Sequence, residues 1–440
     1  MPGARGIDLE TSVERLICRL EMKFEGQSDT IYGTGFVVNI PQLPRLCVFT
    51  AAHNIRRTDK GKTSTALSIR VRFPRIDRHD NEARLEWTAT NSGANKEYFV
   101  PDEWDETTLG CGDNNWLFDW GVILGPERDL PLWKDTLGFG FSIDPTVPSG
   151  LIHVHGFPEN SDDLNGGELT NNLSNPDRIL HNIETRKGMS GGPVWMKLSH
   201  GDSRLDTVVG IHNYAGKATR LNLEMIRRIF WWIGPHLRTT QDQPTRLGAV
   251  VESEEPSKLR LRKTTPAEKS GMGATAFLWE PGTKLDILPA HIGPKDGGLG
   301  HEKDYLYVLA PSRSWPPSSP TSPSSSSPIS TPLSGSTNWI LHLGGEHLTD
   351  RDAPRSVGFK KVLNKDSLFR MERKGKTSKF RIVSKDRRWI LSLQKPESYE
   401  KIETLKCCRG EVTPILDTAK FVIAGGVYDA ATAFLIMDQA

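Results

Sequence analysis

Residues 31–53 read IYGTGFVVNIPQLPRLCVFTAAH. Two runs rich in β-branched and aromatic residues, Ile31 to Ile40 and Leu46 to Thr50, flank a turn that carries Pro41 and Pro44. Short apolar runs bounded by proline and glycine read as strands. The same grammar recurs outward along the chain. Leu67 to Phe73, Trp120 to Leu124, Leu151 to Val154 and Thr207 to Ile211 are apolar runs separated by Gly, Pro, Asn and Asp clusters. Helical spacing is missing until Leu223, Ile226, Ile229 and Phe230, and Gly234-Pro235 should end that helix. The pattern predicts an all-β fold, sandwich or barrel, up to residue 240.

The chain has 440 residues, 36% hydrophobic and 25% charged, a balance that predicts a core-forming part and a solvated part. We expect residues 1–240 to form one domain, 241–271 a linker and 272–440 a second β-rich domain. In the second part, strand-like pieces run over Ala276 to Trp279, Tyr305 to Ala310, Trp339 to Leu343, Lys379 to Val383, Trp389 to Leu393, Phe421 to Ala424 and Ala433 to Met437. Of the 26 residues from 312 to 337, 21 are Ser, Pro or Thr, which cannot build a core. The stretches Asn338 to Leu343 (NWILHL) and Arg388 to Leu393 (RWILSL) are alike and 50 residues apart. That spacing suits a β-trefoil repeat, with chance likeness of two strands as the alternative. Phe369, Met371, Phe380 and Ile382 alternate as a strand core does; the basic residues between Arg370 and Arg388 form a solvated face or meet an acidic partner.

Lys plus Arg is 56 and Asp plus Glu 54, so the charge balance points to neither nucleic acid nor membrane as a partner. The start, MPGARGIDLETSVERLIC, has no apolar run, and neither a secretory signal nor a transit peptide is expected. Ile229 to Ile233 is too short to span a bilayer. Five cysteines (Cys18, Cys47, Cys111, Cys407, Cys408) without a CxxC predict reduced thiols and a cytoplasmic protein. His153 and His155 share one strand face without a nearby Cys or acid, so no metal is expected, and no phosphate-binding glycine loop occurs, so no cofactor is expected.

Three local signals follow one another in the first half. Thr50-Ala51-Ala52-His53 closes an apolar strand, Asp119 opens another, and Ser190 sits in the glycine-rich turn Gly188-Met189-Ser190-Gly191-Gly192-Pro193. A serine hydroxyl needs a base, which His53 could be, and an acid to hold the imidazole in one tautomer. Asp105 and Asp113 are alternatives to Asp119 as that acid, although only Asp119 is followed at once by an apolar run. Glycines around Ser190 let amide N–H groups converge on one spot.

These residues resemble the trypsin-like (chymotrypsin-fold) serine endopeptidases. His53, Asp119 and Ser190 stand 66 and then 71 residues apart. Gly33 to Val38 resembles the strand before that family's histidine, and Val208 to His212 the strand beside its specificity pocket. The resemblance covers residues 12–238 and implies two six-stranded antiparallel barrels with a cleft between them, a triad of His53, Asp119 and Ser190, and an oxyanion hole from the N–H groups of Gly188 and Ser190. Met189 stands where secreted members carry an aspartate, and no disulfide set is visible. Both departures are similar to the glutamyl-endopeptidase-like and heat-stress-protease-like branch. Pro266 to Met272 faintly resembles the turn of a PDZ domain.

By the same resemblance Thr185 and His212 line the pocket for the residue before the cut bond, and would hydrogen-bond Glu or Gln there. His212 is expected to protonate near neutral pH and favour Glu as pH falls. Glu184, if it faced the pocket, would instead select Lys or Arg. Arg186 and Lys187 would aid an acidic substrate or form a solvated face. The expected partners are a protein or peptide substrate and, for the C-terminal module, a protein or glycan. An inactive protease-fold binding protein and a signal-triggered defence effector are the alternatives.

Overall fold

The computed structural model describes residues 13–40, 42–59, 62–74, 86–92, 95–104, 115–127, 138–144, 147, 149–171, 175, 177–200, 203–214, 216–237, 245–253, 260–263, 274–277, 285–293, 305–311, 340–343, 355–360, 363–373, 379–385, 390–394, 419–424 and 434–437. The chain divides into two compact units, Met1–Thr239 with His291–Asp304, and Thr240–Ala290 with Tyr305–Ala440. The 312–337 segment, the PDZ-like turn, Cys111, Cys407, Cys408, Asp105 and Asp113 lie outside the described residues.

The first unit holds two antiparallel barrels. Six long strands build the first: β1 (Ile17–Lys23), β2 (Ile31–Val37), β3 (Arg45–Thr50), β4 (Ser68–Arg72), β5 (Glu86–Ser92) and β6 (Gly121–Glu127). Ladders run β5-β4-β1-β2-β3-β6. The ring closes through Tyr98–Phe99, which pairs with β6 while Asn91 of β5 donates through Nδ2 to the Tyr98 carbonyl at 3.1 Å. Period-two alternation explains the strands: on β4 Ile69 and Val71 are buried, while Ser68, Arg70 and Arg72 are partly exposed. Cys18, Leu20 and Met22 of β1 join Leu46, Val48 and Ile123 in the barrel core. Cys18 and Cys47 are buried and outside any disulfide, and burial pushes the Cys18 thiol far up, which leaves it inert.

The second barrel uses β7 (Gly150–Gly156), β8 (Asn165–Asn171), β9 (Arg178–Leu180), β10 (Pro193–His200), β11 (Ser203–Tyr214) and β12 (Lys217–Arg220). Its ladders run β8-β7-β10-β11-β12-β9. Relative to its own first strand this is the order of the first barrel. Ile152, Val154, Val194, Met196, Val209 and Ala218 fill it. Phe36 and Phe49, on the outer faces of β2 and β3, continue this packing. Phe139 lies 6.0 Å from Phe36 and 6.1 Å from Trp195 of β10, which joins the two barrels across a buried aromatic seam.

The expected helix is present as α1 (Leu223–Ile233). Asn222 caps it by accepting the Met225 N–H at 2.9 Å, and the four residues of the apolar stripe are buried. Arg228 forks onto Glu103 at 2.6 and 2.7 Å, and Trp232 stacks on Phe99, so α1 returns the chain to the first barrel. Among the described residues no helix is long and apolar enough to cross a membrane.

In the second unit the described strands form three quartets: Arg246–Ser253, Arg260–Lys263, Ala274–Phe277 and Leu285–Ile292; Leu306–Pro311, Ile340–Leu343, Arg355–Lys360 and Phe369–Arg373; Lys379–Ser384, Ile390–Gln394, Ala419–Ala424 and Phe434–Met437. In each quartet the first strand pairs with the fourth, as in Ala249↔Leu285, Tyr307↔Phe369 and Phe380↔Phe434. The second pairs with the third, as in Arg260↔Phe277, Ile340↔Lys360 and Ile390↔Ala424. Such a threefold plan is a β-trefoil. The two look-alike stretches are the second strands of the second and third quartets. The expected linker at 241–271 is corrected, because it carries Arg246–Ser253 and Arg260–Lys263, the first two strands of the first quartet. Four basic side chains from Lys258 to Lys263 hide that strand from a reading by apolar runs.

Candidate active site

The ladder between β3 and β6 sets the first half of the site. Thr50 pairs with Gly121, so the residues just past β3 and just before β6 emerge at the same end. Ala51 is extended, and a short turn over Ala52–Asn54 then swings His53 toward Asp119. Asp119 is fully buried. Its carboxylate accepts the His53 backbone N–H at 3.0 Å and meets the ring Nδ1 at 2.9 and 3.1 Å. A buried carboxylate needs such partners, and these ones also fix the ring. Asn213 donates from Nδ2 to the Asp119 carbonyl at 2.6 Å, and its Oδ1 accepts from Thr219 N and Oγ1 at 2.7 and 2.9 Å. Tyr214 stacks on the His53 ring with centroids 5.2 Å apart.

The Ser190 turn comes from the second barrel and hangs on the first. Thr34 of β2 donates its N–H to the Ser190 carbonyl and its hydroxyl to the Gly188 carbonyl, each at 2.9 Å, while the same hydroxyl accepts from Phe157 N at 2.9 Å. Asn54, next to His53, donates from Nδ2 to the Ser190 carbonyl at 2.8 Å. Gly188 and Gly191 have φ of 96° and 88°, the left-handed region that favours glycine. A Cβ on Gly191 would stand 2.1 Å from the Thr34 carbonyl oxygen, so the close approach of the barrels also demands glycine there. The Lys187 carbonyl accepts from Glu159 N–H at 2.8 Å. In a planar trans peptide the following N–H points the opposite way, which turns the Gly188 N–H from Glu159. Among the described residues neither the Gly188 nor the Ser190 N–H donates to a protein acceptor.

His212 is buried on β11, and its carbonyl accepts the Gly191 N–H at 2.7 Å. Its ring Nδ1 lies 3.3 Å from His181 Nε2. Burial first, then the charges of His181 and His53, pushes its pKa down to about 3. The expectation that His212 protonates near neutral pH is therefore corrected: the ring stays neutral there. Thr185 is partly buried. Glu184 has an 85% exposed side chain beside Arg186 at 3.7 Å, so no buried acid sits there to select Lys or Arg. Lys187 pairs with Glu159 at 2.9 Å on an exposed face. His153 and His155 share a face as expected, but the expectation of no nearby acid is corrected, because Glu168 on the paired strand lies 3.4 Å from His153 Nδ1. His153 also stacks on Trp195 at 4.1 Å, and His155 Nδ1 accepts from Trp195 Nε1 at 3.2 Å. Among the described residues no group of His, Cys, Asp and Glu could hold a metal ion.

Thr34, Asn213 and Tyr214 were not expected. Thr34 and Asn213 are polar residues that adjoin apolar runs, Phe36 to Val38 and Val208 to Ile211, and a buried polar side chain must find a partner. That is the signal that could have singled them out.

The sequence matches no family profile and no curated protein. Among solved structures, a Glu endopeptidase in complex with MPD is similar over 51% of this chain and 94% of that one, at 15% identity and a TM-score of 0.33. The protease Anisep from Arthrobacter nicotinovorans is similar over 49% and 94%, at 16% identity and 0.30. The designed three-fold symmetric protein ThreeFoil is similar over 43% and 98%, at 10% identity and 0.26.

Proposed function

We propose that the first unit is a serine endopeptidase. The observation that carries this reading is the buried Asp119 carboxylate gripping His53, one residue from the Asn54 amide that holds the Ser190 turn. In the reaction His53 takes the Ser190 proton as the hydroxyl attacks a peptide carbonyl. Asp119 stabilises the imidazolium so formed. The Gly188 and Ser190 N–H groups receive the oxyanion, each worth about 2.7–4 kcal/mol in a comparable site. His53 then protonates the leaving amine, and water hydrolyses the acyl-enzyme.

Thr185 and His212 form the basis for a preference for Glu or Gln before the cut bond. A neutral His212 offers a hydrogen bond and no charge, so the choice between Glu and Gln does not follow its titration at neutral pH. The second unit acts as a targeting or regulatory module for a protein or glycan, a reading supported by its separate threefold fold.

The test is a fluorophosphonate probe and a peptide library on the full chain and on Ser190→Ala. Labelling and cleavage are expected in the wild type, with kcat in the variant lower by roughly 10⁵–10⁶-fold. Activity retained in the variant overturns the assignment, and cleavage after Lys or Arg overturns the Glu/Gln preference.

A further inference from the structure

We propose that Arg19 is a positioning residue for the Gly188 N–H, acting from the first barrel through residues 159–162 of the second. The inference rests on the reading of that N–H as an oxyanion donor. Arg19 lies on β1 with its side chain 8% exposed. A buried guanidinium is costly unless its donors find acceptors, and its planar fork fixes whatever it binds; here the buried Nε has no partner and the two terminal nitrogens carry the contacts. Nη2 donates to the Glu159 carbonyl and Nη1 to the Ser161 carbonyl, each at 2.5 Å, and Nη1 also meets Asp162 Oδ1 at 3.0 Å. The guanidinium carbon lies 4.4 Å from the centre of the Tyr32 ring, which holds the fork against the barrel.

The segment so fixed controls one peptide plane. Glu159 N–H is the donor to the Lys187 carbonyl at 2.8 Å, and that bond sets which way the Gly188 N–H points. The restraint matters because Gly188 sits at φ 96°, where a glycine peptide can turn over at little steric cost. The fit is close: a Cβ on Gly188 would stand 2.4 Å from Glu159 N and 2.8 Å from the Phe157 carbonyl oxygen. Displacing residues 159–162 therefore frees the Lys187–Gly188 peptide, although Arg19 itself touches neither Gly188 nor Ser190.

Arg19→Lys, which keeps the charge and loses the fork, and Arg19→Ala are compared with wild type in the full chain. With active sites counted by the fluorophosphonate, kcat is expected to fall about 10–100-fold, less than complete loss of a donor, with KM within about twofold. Affinity for a peptide aldehyde, which forms an oxyanion, falls in step with kcat. Methylguanidinium restores part of kcat to Arg19→Ala. Glu159 amide hydrogen exchange speeds up in both variants. A lower melting temperature with kcat per labelled site unchanged would make Arg19 a tether between barrels and overturn the proposal. Should neither variant fold, the wild type decides: an unprotected Glu159 amide breaks the chain of contacts, and a protected one supports it. A wild type that takes neither probe nor peptide overturns the protease reading alone, and the exchange of Glu159 in wild type and variants then decides whether Arg19 holds the peptide.

Discussion

Thr34 carries no titrating group, yet three hydrogen bonds of the Ser190 turn and its neighbour Phe157 run through it. Thr34→Val keeps the shape and the N–H and removes the hydroxyl. Phe157 N and the Gly188 carbonyl then lose their partner in a buried place, at a cost of about 1–3 kcal/mol. Thermal denaturation should register that loss, with slower fluorophosphonate labelling; an unchanged melting temperature would mean that water replaces the hydroxyl. At this scale the sequence was legible where a residue advertises itself locally. His53 stands in TAAH, Asp119 opens an apolar run, and Ser190 lies among glycines. Thr34, Asn213 and Arg19 were not legible, because their partners stand 154, 94 and 142 residues away and only the folded chain brings them together.

Among the elements, α1 shows a surface helix held by more than its apolar stripe. Arg228 is buried, and burial alone would raise the Glu103 carboxyl, but the guanidinium outweighs it and holds that carboxyl below its usual range. Glu103 is 43% exposed, so water screens part of the attraction. Arg228→Met should cost about 1–3 kcal/mol, less than breaking a fully buried pair. The loss is read as faster hydrogen exchange of the α1 amides; unaltered exchange would leave the apolar face as the whole anchor. The spacing of Leu223, Ile226, Ile229 and Phe230 and the stop at Gly234-Pro235 marked this helix in sequence, and the run Leu67 to Phe73 marked β4. Arg260–Lys263 escaped because its residues are mostly charged, so its pairing with Ala274–Phe277 supplies what its composition hides.

Taken whole, the second barrel carries three histidines whose burial disfavours the charged ring. Burial lowers His181; burial and then His153 take His155 to about 4; burial, then His181 and His53, take His212 to about 3, against the pull of Asp119 and a Lys217 backbone bond. The unfolded chain protonates these rings near pH 6.5, whereas the native state takes up their protons at lower pH. Between pH 6.5 and the folded values the unfolded state binds more protons, so stability falls as pH falls. His155 and His212 each contribute on the order of 1 kcal/mol per pH unit in that window, and His181 adds in the same direction. Melting temperature should decline from pH 7 to pH 4, with a shallower decline in His155→Gln. A flat profile over that range would show the rings solvated.

The register that joins His53 to Asp119 is complete within β3 and β6, whereas the turn of Ser190 needs β2 on one side and β11 on the other. On a ribosome the first barrel is made first, and β11 ends 87 residues after β6, a delay on the order of ten seconds at ordinary elongation rates. Throughout that interval the nascent chain holds both strands that set His53 beside Asp119 but not yet both strands that hold the Ser190 turn. The order of synthesis thus brings the His53–Asp119 pair together before the Ser190 turn that it serves in the reaction proposed above.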